Sequence, residues 1–256
     1  MVMIREFRIV MPISLEEYEV AMIYTTMKME QQSLTSREVE IMENLYFEDE
    51  FLGNGQYTSK IYHLQSKLPT WLKTFATKSS LKIQEEYWNA YPKSKTVIKC
   101  SCFNQCLLTI ETVNKADNGC SENVFGLSDE LIAARKVEII DITSIEKDYW
   151  SKIISTTKID FSAFKSKRTG RGPLLKGWQD TCKPVMTSYK LVTVDAPIWG
   201  VGNRLEETFQ ASQRALLLES HKLCFALIDE WFGVTMDQIS EIGNDKDLHQ
   251  IAKKRL

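Results

Sequence analysis

The sequence has no surplus of charge of either sign: 32 Lys and Arg stand against 34 Asp and Glu, a formal net charge of −2. A protein that holds nucleic acid by its phosphates needs a strong basic excess, so no nucleic-acid partner is expected. No apolar run approaches the roughly 20 residues that cross a bilayer. The N-terminal MVMIREFRIVMP is charged within its first eight residues and has no apolar stretch followed by small residues, so it does not read as a secretory signal. These absences predict a cytoplasmic protein.

Histidine is scarce: His63, His221 and His249 are the only three. His63 and His221 fall at amphipathic positions and read as structural residues rather than bases. Of the six cysteines, Cys100, Cys102 and Cys106 lie close together, while Cys120, Cys182 and Cys224 are scattered. No histidine is near them and no Cys-x-x-Cys occurs, so reduced, mostly buried thiols are expected rather than a metal site. There is no Gly-x-Ser-x-Gly elbow, His-Glu-x-x-His pair, EF-hand loop or dinucleotide-binding fingerprint. Glu85-Glu86 and Glu206-Glu207 are adjacent in sequence, so the carboxylates of each pair diverge. These gaps point to a binding protein, with no enzymatic activity and no cofactor.

What is present is ordinary for a globular chain: 256 residues, 43% apolar and 26% charged. That length supports a substantial core. No repeat, low-complexity tract or linker divides it, so one domain over residues 1–256 is expected. Ile4–Val10 alternates as a strand ended by Pro12. Ser14-Leu-Glu-Glu17 is a capping box. The helix it opens carries Leu15, Tyr18, Met22, Thr25 and Met29 on one stripe, and residues 31–37 read as a loop. Val39–Leu45 and Tyr57–Leu64 read as strands, with Gly53-Asn-Gly55 as the turn between them. Pro69 opens a short helix, and Ile83–Tyr91 fits either a strand or a helix. Thr96–Phe103 and Cys106–Val113 pair as a hairpin. Ser128 caps a short helix, Lys136–Ile142 is a strand, and residues 143–185 are irregular, a length usual for functional or mobile loops. Ser188–Val194 is the last strand. Asn203 caps a helix over residues 203–232, with a stripe of Leu205, Phe209, Leu216, Leu223, Leu227 and Trp231. Thr235-Met-Asp-Gln238 is a second capping box. The order predicts an α+β fold, a mostly antiparallel sheet closing on one long helix.

Strand alternation puts Thr58 and Lys60 on one face with Tyr62 and Leu64. A cation and a hydroxyl on an oily face suggest a polar spot inside an apolar pocket. A half-exposed strand with a solvated lysine explains the same pattern.

Longer stretches narrow the choice. GQYTSKIYHLQSK (55–67), WNAYP (88–92), KSKRTGRGPL (165–174) and YKLVTV (189–194) resemble the class I phosphatidylinositol transfer proteins. The N-terminal strand with Pro12, Glu111-Thr112, Glu122-Asn-Val124, and Trp231 followed by Thr235-Met-Asp237 resemble the same family, in order along nearly the whole chain. The resemblance implies a START-like helix-grip fold, a curved sheet wrapped around a long C-terminal helix and enclosing a lipid cavity. It implies a monomeric carrier of one phosphatidylinositol or phosphatidylcholine as cargo, with transient, peripheral contact with membranes and a lipid kinase as a further partner. By resemblance Thr58, Lys60 and Asn89 contact the inositol ring, and Thr96, Thr112 and Lys190 surround the phosphodiester. Ile198 and Trp199 match a membrane-docking loop, where the family has two tryptophans. Ser166 matches a regulatory phosphorylation site.

Three positions depart from the family. Gly243 stands where it has a glutamate that contacts inositol, Met22 where a glutamine helps hold the phosphate, and Ser94 where a cysteine is linked to phosphatidylcholine handling. Fewer polar anchors bear more on inositol selectivity than on lipid carriage. Two other functions stay open at this point: a sensor that presents inositol lipid to a kinase without transfer, and a START-like enzyme acting on an apolar substrate.

Overall fold

The computed structural model describes residues 2–34, 39–63, 82–100, 106–155, 157–239 and 241. Among the described residues, eight strands form one open, curved sheet. They are β1 (Met3–Met11), β2 (Val39–Asp49), β3 (Gly53–His63), β4 (Lys82–Ala90), β5 (Lys93–Cys100), β6 (Leu107–Lys115), β7 (Lys136–Ile140) and β8 (Met186–Asp195). Their order is β2-β3-β4-β5-β6-β8-β1-β7. Among these strands every pairing is antiparallel except β1 with β7. The described helices include α1 (Leu15–Leu34), α2 (Asp129–Ala134), α3 (Tyr149–Ile154), α4 (Trp178–Thr181), α5 (Gly202–Ala226) and α6 (Ile228–Trp231), and residues 236–239 are helical as well. The α+β expectation holds, and the ambiguous stretch at 83–91 belongs to strand β4.

Burial follows the pleat. In β6, Leu108, Ile110, Thr112 and Asn114 turn inward, while Leu107, Glu111 and Lys115 turn outward. The 25 residues of α5 extend about 37 Å at 1.5 Å per residue. Leu217, Leu218, Cys224 and Phe225 of α5 share one core with Phe7, Ile9, Val192 and Val194, so the helix lies across the inner face of β1 and β8. Helix α1 packs beside it. The reciprocal Ser14–Glu17 capping bonds hold its start, at 2.8 and 3.2 Å.

Several expectations need correcting. Helix α1 runs to Leu34, through residues expected to be loop. The turn between β2 and β3 occupies residues 50–52, and Gly53-Asn-Gly55 lies in β3. Val201, not Asn203, is the N-cap of α5, because the helix already includes Gly202. Helix α5 ends at Ala226 rather than continuing to 232; Leu227 breaks it from α6. Leu216 is 38% exposed and leaves the expected stripe, whereas Glu206, Gln210 and His221 are buried. The helix from Pro69, Leu64 and Gly243 lie outside the described residues.

The irregular region 143–185 contains α3 and α4 and is strapped to both ends of the helical layer. Arg171 donates to both carboxylate oxygens of Glu17, at 2.8 and 2.9 Å. Asp229 accepts from Ser166 Oγ, Lys167 N and Arg168 N, at 2.5, 2.9 and 3.0 Å. Phe161, Leu174 and Trp178 sink into the main core.

Candidate functional site

Between α1 and the inner face of the sheet lies a cavity of about 280 Å³. Register alone explains what faces it. Residues directly opposed across strands share a face, so the sheet presents transverse rows. Lys60 stands opposite Glu85 in one row. Thr58, Tyr87 and Thr96 form the next. Asn89, Ser94, Thr112 and Lys190 form a third, across β4, β5, β6 and β8. Asn114 begins a fourth, opposite Ser188.

The structure therefore brings five of the six headgroup candidates, Thr58, Lys60, Asn89, Thr112 and Lys190, to one cavity. Thr96 shares their sheet face but does not border the cavity; its register partner Tyr87 does. Lys190 Nζ donates to Thr112 Oγ1 at 3.2 Å. Burial pulls the Lys190 ammonium down from its ordinary 10.5 to about 8. Behind it, His221 is fully buried; its ring accepts from the Tyr18 hydroxyl at Nε2, 2.8 Å, and donates from Nδ1 to the Leu217 carbonyl, 2.6 Å. Burial, helped by the nearby Lys190 charge, depresses the His221 imidazole to about 3. It is a neutral structural residue at working pH, as its sequence position suggested. The opposite wall is α1, with Met22, Ile23 and Met27.

Glycine shapes one edge. A Cβ on Gly55 would sit 1.8 Å from the Asn89 carbonyl oxygen. Only glycine lets β3 approach the backbone that carries Asn89. Gly55→Ala is expected to destabilise the fold by about 1–3 kcal/mol through overpacking. Denaturant unfolding checks this; an unchanged midpoint would show that the strands can part freely there.

Several polar cavity residues are not among the sequence candidates, Glu85, Ser94 and Asn114 among them. Glu85 had been paired with Glu86 and set aside, but it faces Lys60, while Glu86 turns outward to Lys99 at 2.8 Å. Ser94 was noted only as a departure and borders the cavity. Asn114 was overlooked, although it lies two residues beyond Thr112 and so on the same face.

The other two candidate regions are elsewhere. Trp199 is 99% exposed at the tip of the loop joining β8 to α5. Ile198 instead folds back against Cys106, Ala196 and Leu205. Glu206 of α5 accepts from the Ala196 amide at 3.3 Å and ties the loop to the helix. Ser166 is 2% exposed, and its hydroxyl bridges Asp229 and Thr169. A phosphoryl group on Ser166 would meet the Asp229 carboxylate, so modification requires this strap to open.

Residues 2–247 match the family described as Phosphatidylinositol transfer protein. The chain is 36% identical to cytoplasmic phosphatidylinositol transfer protein 1 of Drosophila melanogaster over 242 residues, 93% of this chain and 86% of the relative. It is 38% identical to phosphatidylinositol transfer protein 2 of Dictyostelium discoideum over 256 residues, covering 98% and 96%. Cytoplasmic phosphatidylinositol transfer protein 1 of Mus musculus is 37% identical over 242 residues, covering 93% and 71%.

Proposed function

The chain belongs to the phosphatidylinositol transfer protein family, and from that premise we propose that its cavity receives the headgroup of one phospholipid, which the protein carries between membranes. Transfer of phosphatidylinositol is the function that the family match and the relatives' names support. Phosphatidylcholine is proposed as a second cargo. The observation that carries the reading is the row of Asn89, Ser94, Thr112 and Lys190 on the inner sheet face, with Lys60 and Thr58 beside it. A half-buried ammonium next to a hydroxyl suits a phosphodiester; the remaining hydrogen-bonding groups suit a hydroxyl-bearing ring.

Carriage needs shelter. Exposing about 30 acyl methylenes at ~0.8 kcal/mol each would cost on the order of 20 kcal/mol. At about 280 Å³ the cavity is headgroup-sized. Loading therefore widens the space under α1, where Met22 and Met27 supply adaptable apolar surface. The protein is proposed to act as a monomer in the cytoplasm, docking briefly on membranes through Trp199 and able to present inositol lipid to a kinase. No chemical step is assigned to it: the cargo leaves unaltered.

Mass spectrometry of an organic extract of the purified protein tests the reading. One intact phospholipid per chain is expected, and an extract without stoichiometric phospholipid overturns it. Vesicle-to-vesicle transfer then separates a carrier from a protein that only presents its lipid. Trp199→Ala is expected to weaken vesicle binding several-fold, since the exposed indole offers apolar area to the interface, with the bound lipid unchanged. Unaltered vesicle binding removes Trp199 from the docking surface.

A further inference from the structure

Beside the Lys190–Thr112 pair, the cavity holds an unmet acceptor. Asn114 borders the cavity, is only 7% exposed, and its Oδ1 has no hydrogen-bond partner among the described residues. Its backbone amide is satisfied by the Pro92 carbonyl at 3.0 Å, so only the side chain is left wanting. Ser188, its register partner on β8, does not supply the missing bond, for its buried Oγ is likewise unpartnered. Two tyrosine hydroxyls at the same cavity are committed elsewhere: Tyr18 donates to His221 and Tyr91 to the Leu15 carbonyl. Buried polar atoms in folded proteins are almost always satisfied, and an exception beside a binding site points to the ligand.

We propose that Asn114 is a headgroup contact whose Oδ1 accepts a hydrogen bond from a hydroxyl of the bound phospholipid, favouring polyhydroxyl headgroups over quaternary-ammonium ones. This rests on the reading that the cavity holds a phospholipid headgroup. The chemistry is asymmetric. An inositol ring carries several O–H donors, any of which can serve a polar acceptor lining the cavity. A trimethylammonium group brings none and leaves the buried acceptor stranded, which weakens binding by roughly tenfold. Lys190, occupied by the phosphodiester, leaves Asn114 to the headgroup.

The test equilibrates wild type and Asn114→Leu with vesicles holding equal phosphatidylinositol and phosphatidylcholine, then counts bound lipids by mass spectrometry. The bound ratio of inositol to choline lipid is expected to fall about tenfold in Asn114→Leu, with choline lipid bound at least as well. A ratio within about twofold of wild type overturns the proposal, as does equal loss of both lipids in a variant that still unfolds cooperatively. Should Asn114→Leu fail to fold, Asn114→Val, smaller and suited to a strand, is judged by the same criteria. A wild type that binds neither lipid overturns the cavity reading and this proposal with it; an unchanged ratio in loaded protein overturns the role of Asn114 alone.

Discussion

Lys190→Met should lower transfer of both phosphatidylinositol and phosphatidylcholine by on the order of 10- to 100-fold, the worth of a charge-assisted bond to a shared phosphodiester. Among the described residues Lys190 makes no ion pair; its hydrogen bond is to Thr112. Lys190 is half-buried, and its ammonium, drawn down to about 8 by desolvation, suits an anionic partner. The fall from 10.5 corresponds to about 3 kcal/mol of strain in the lipid-free protein at neutral pH. The sign follows from proton counting. Between pH 8 and 10.5 the unfolded chain holds a proton that the folded chain has lost, so lipid-free stability rises with pH across that window. Lipid affinity moves the other way, falling as pH climbs through about 8 and Lys190 loses its charge. Lys190→Met should erase both trends and stabilise the lipid-free protein. Transfer rates and unfolding midpoints at several pH values check this. Wild-type choline-lipid transfer by Lys190→Met would place the phosphodiester elsewhere.

Most of that site is named by the family resemblance; strand alternation by itself puts only Thr58 and Lys60 on one face, and the structure keeps them so. What alternation cannot supply is which strands are neighbours. Thr112 and Lys190 are 78 residues apart, and only the β6–β8 pairing makes them partners. The same limit hid the outer face of β1. Glu6 and Arg8 read as ordinary polar alternation, yet Glu6 is 0% exposed and paired with Arg8 at 2.7 Å and with Arg135. Arg8 also reaches Glu122 at 3.2 Å, a partner 114 residues away. Glycine misled for a different reason. Gly53-Asn-Gly55 has the composition of a turn, but Gly55 answers to the Asn89 carbonyl on the next strand. Leu216 misled because an even stripe assumes one neighbour on one side, whereas α5 packs against sheet, α1 and α3 at once.

Lys60→Ala should cut phosphatidylinositol transfer by more than about tenfold while leaving phosphatidylcholine transfer within about twofold of wild type. The argument is one of reach. Lys60 on β3 and Lys190 on β8 are four strands apart, roughly 19 Å across the sheet at about 4.8 Å per strand. The concave face and two long side chains shorten that span, but Lys60 still lies well to the side of the phosphodiester held at Lys190. A headgroup must extend laterally from its phosphate to meet Lys60, and it must carry acceptors when it arrives. An inositol ring does both with its hydroxyl oxygens. A choline group carries a positive charge of its own and would be repelled by the Lys60 ammonium. Glu85, opposite Lys60, has carboxylate oxygens that can accept hydrogen bonds from the ring's hydroxyls, so the two rows nearest Thr58 offer both donors and an acceptor to a polyol. Parallel transfer assays with each lipid, using Lys60→Ala and Lys60→Met, separate this from a packing role. If both lipids slow equally in Lys60→Ala and recover together in Lys60→Met, the stem of Lys60 supports the sheet and its charge reads nothing. If only the inositol lipid slows in both variants, the ammonium at Lys60 selects the headgroup that Lys190 anchors.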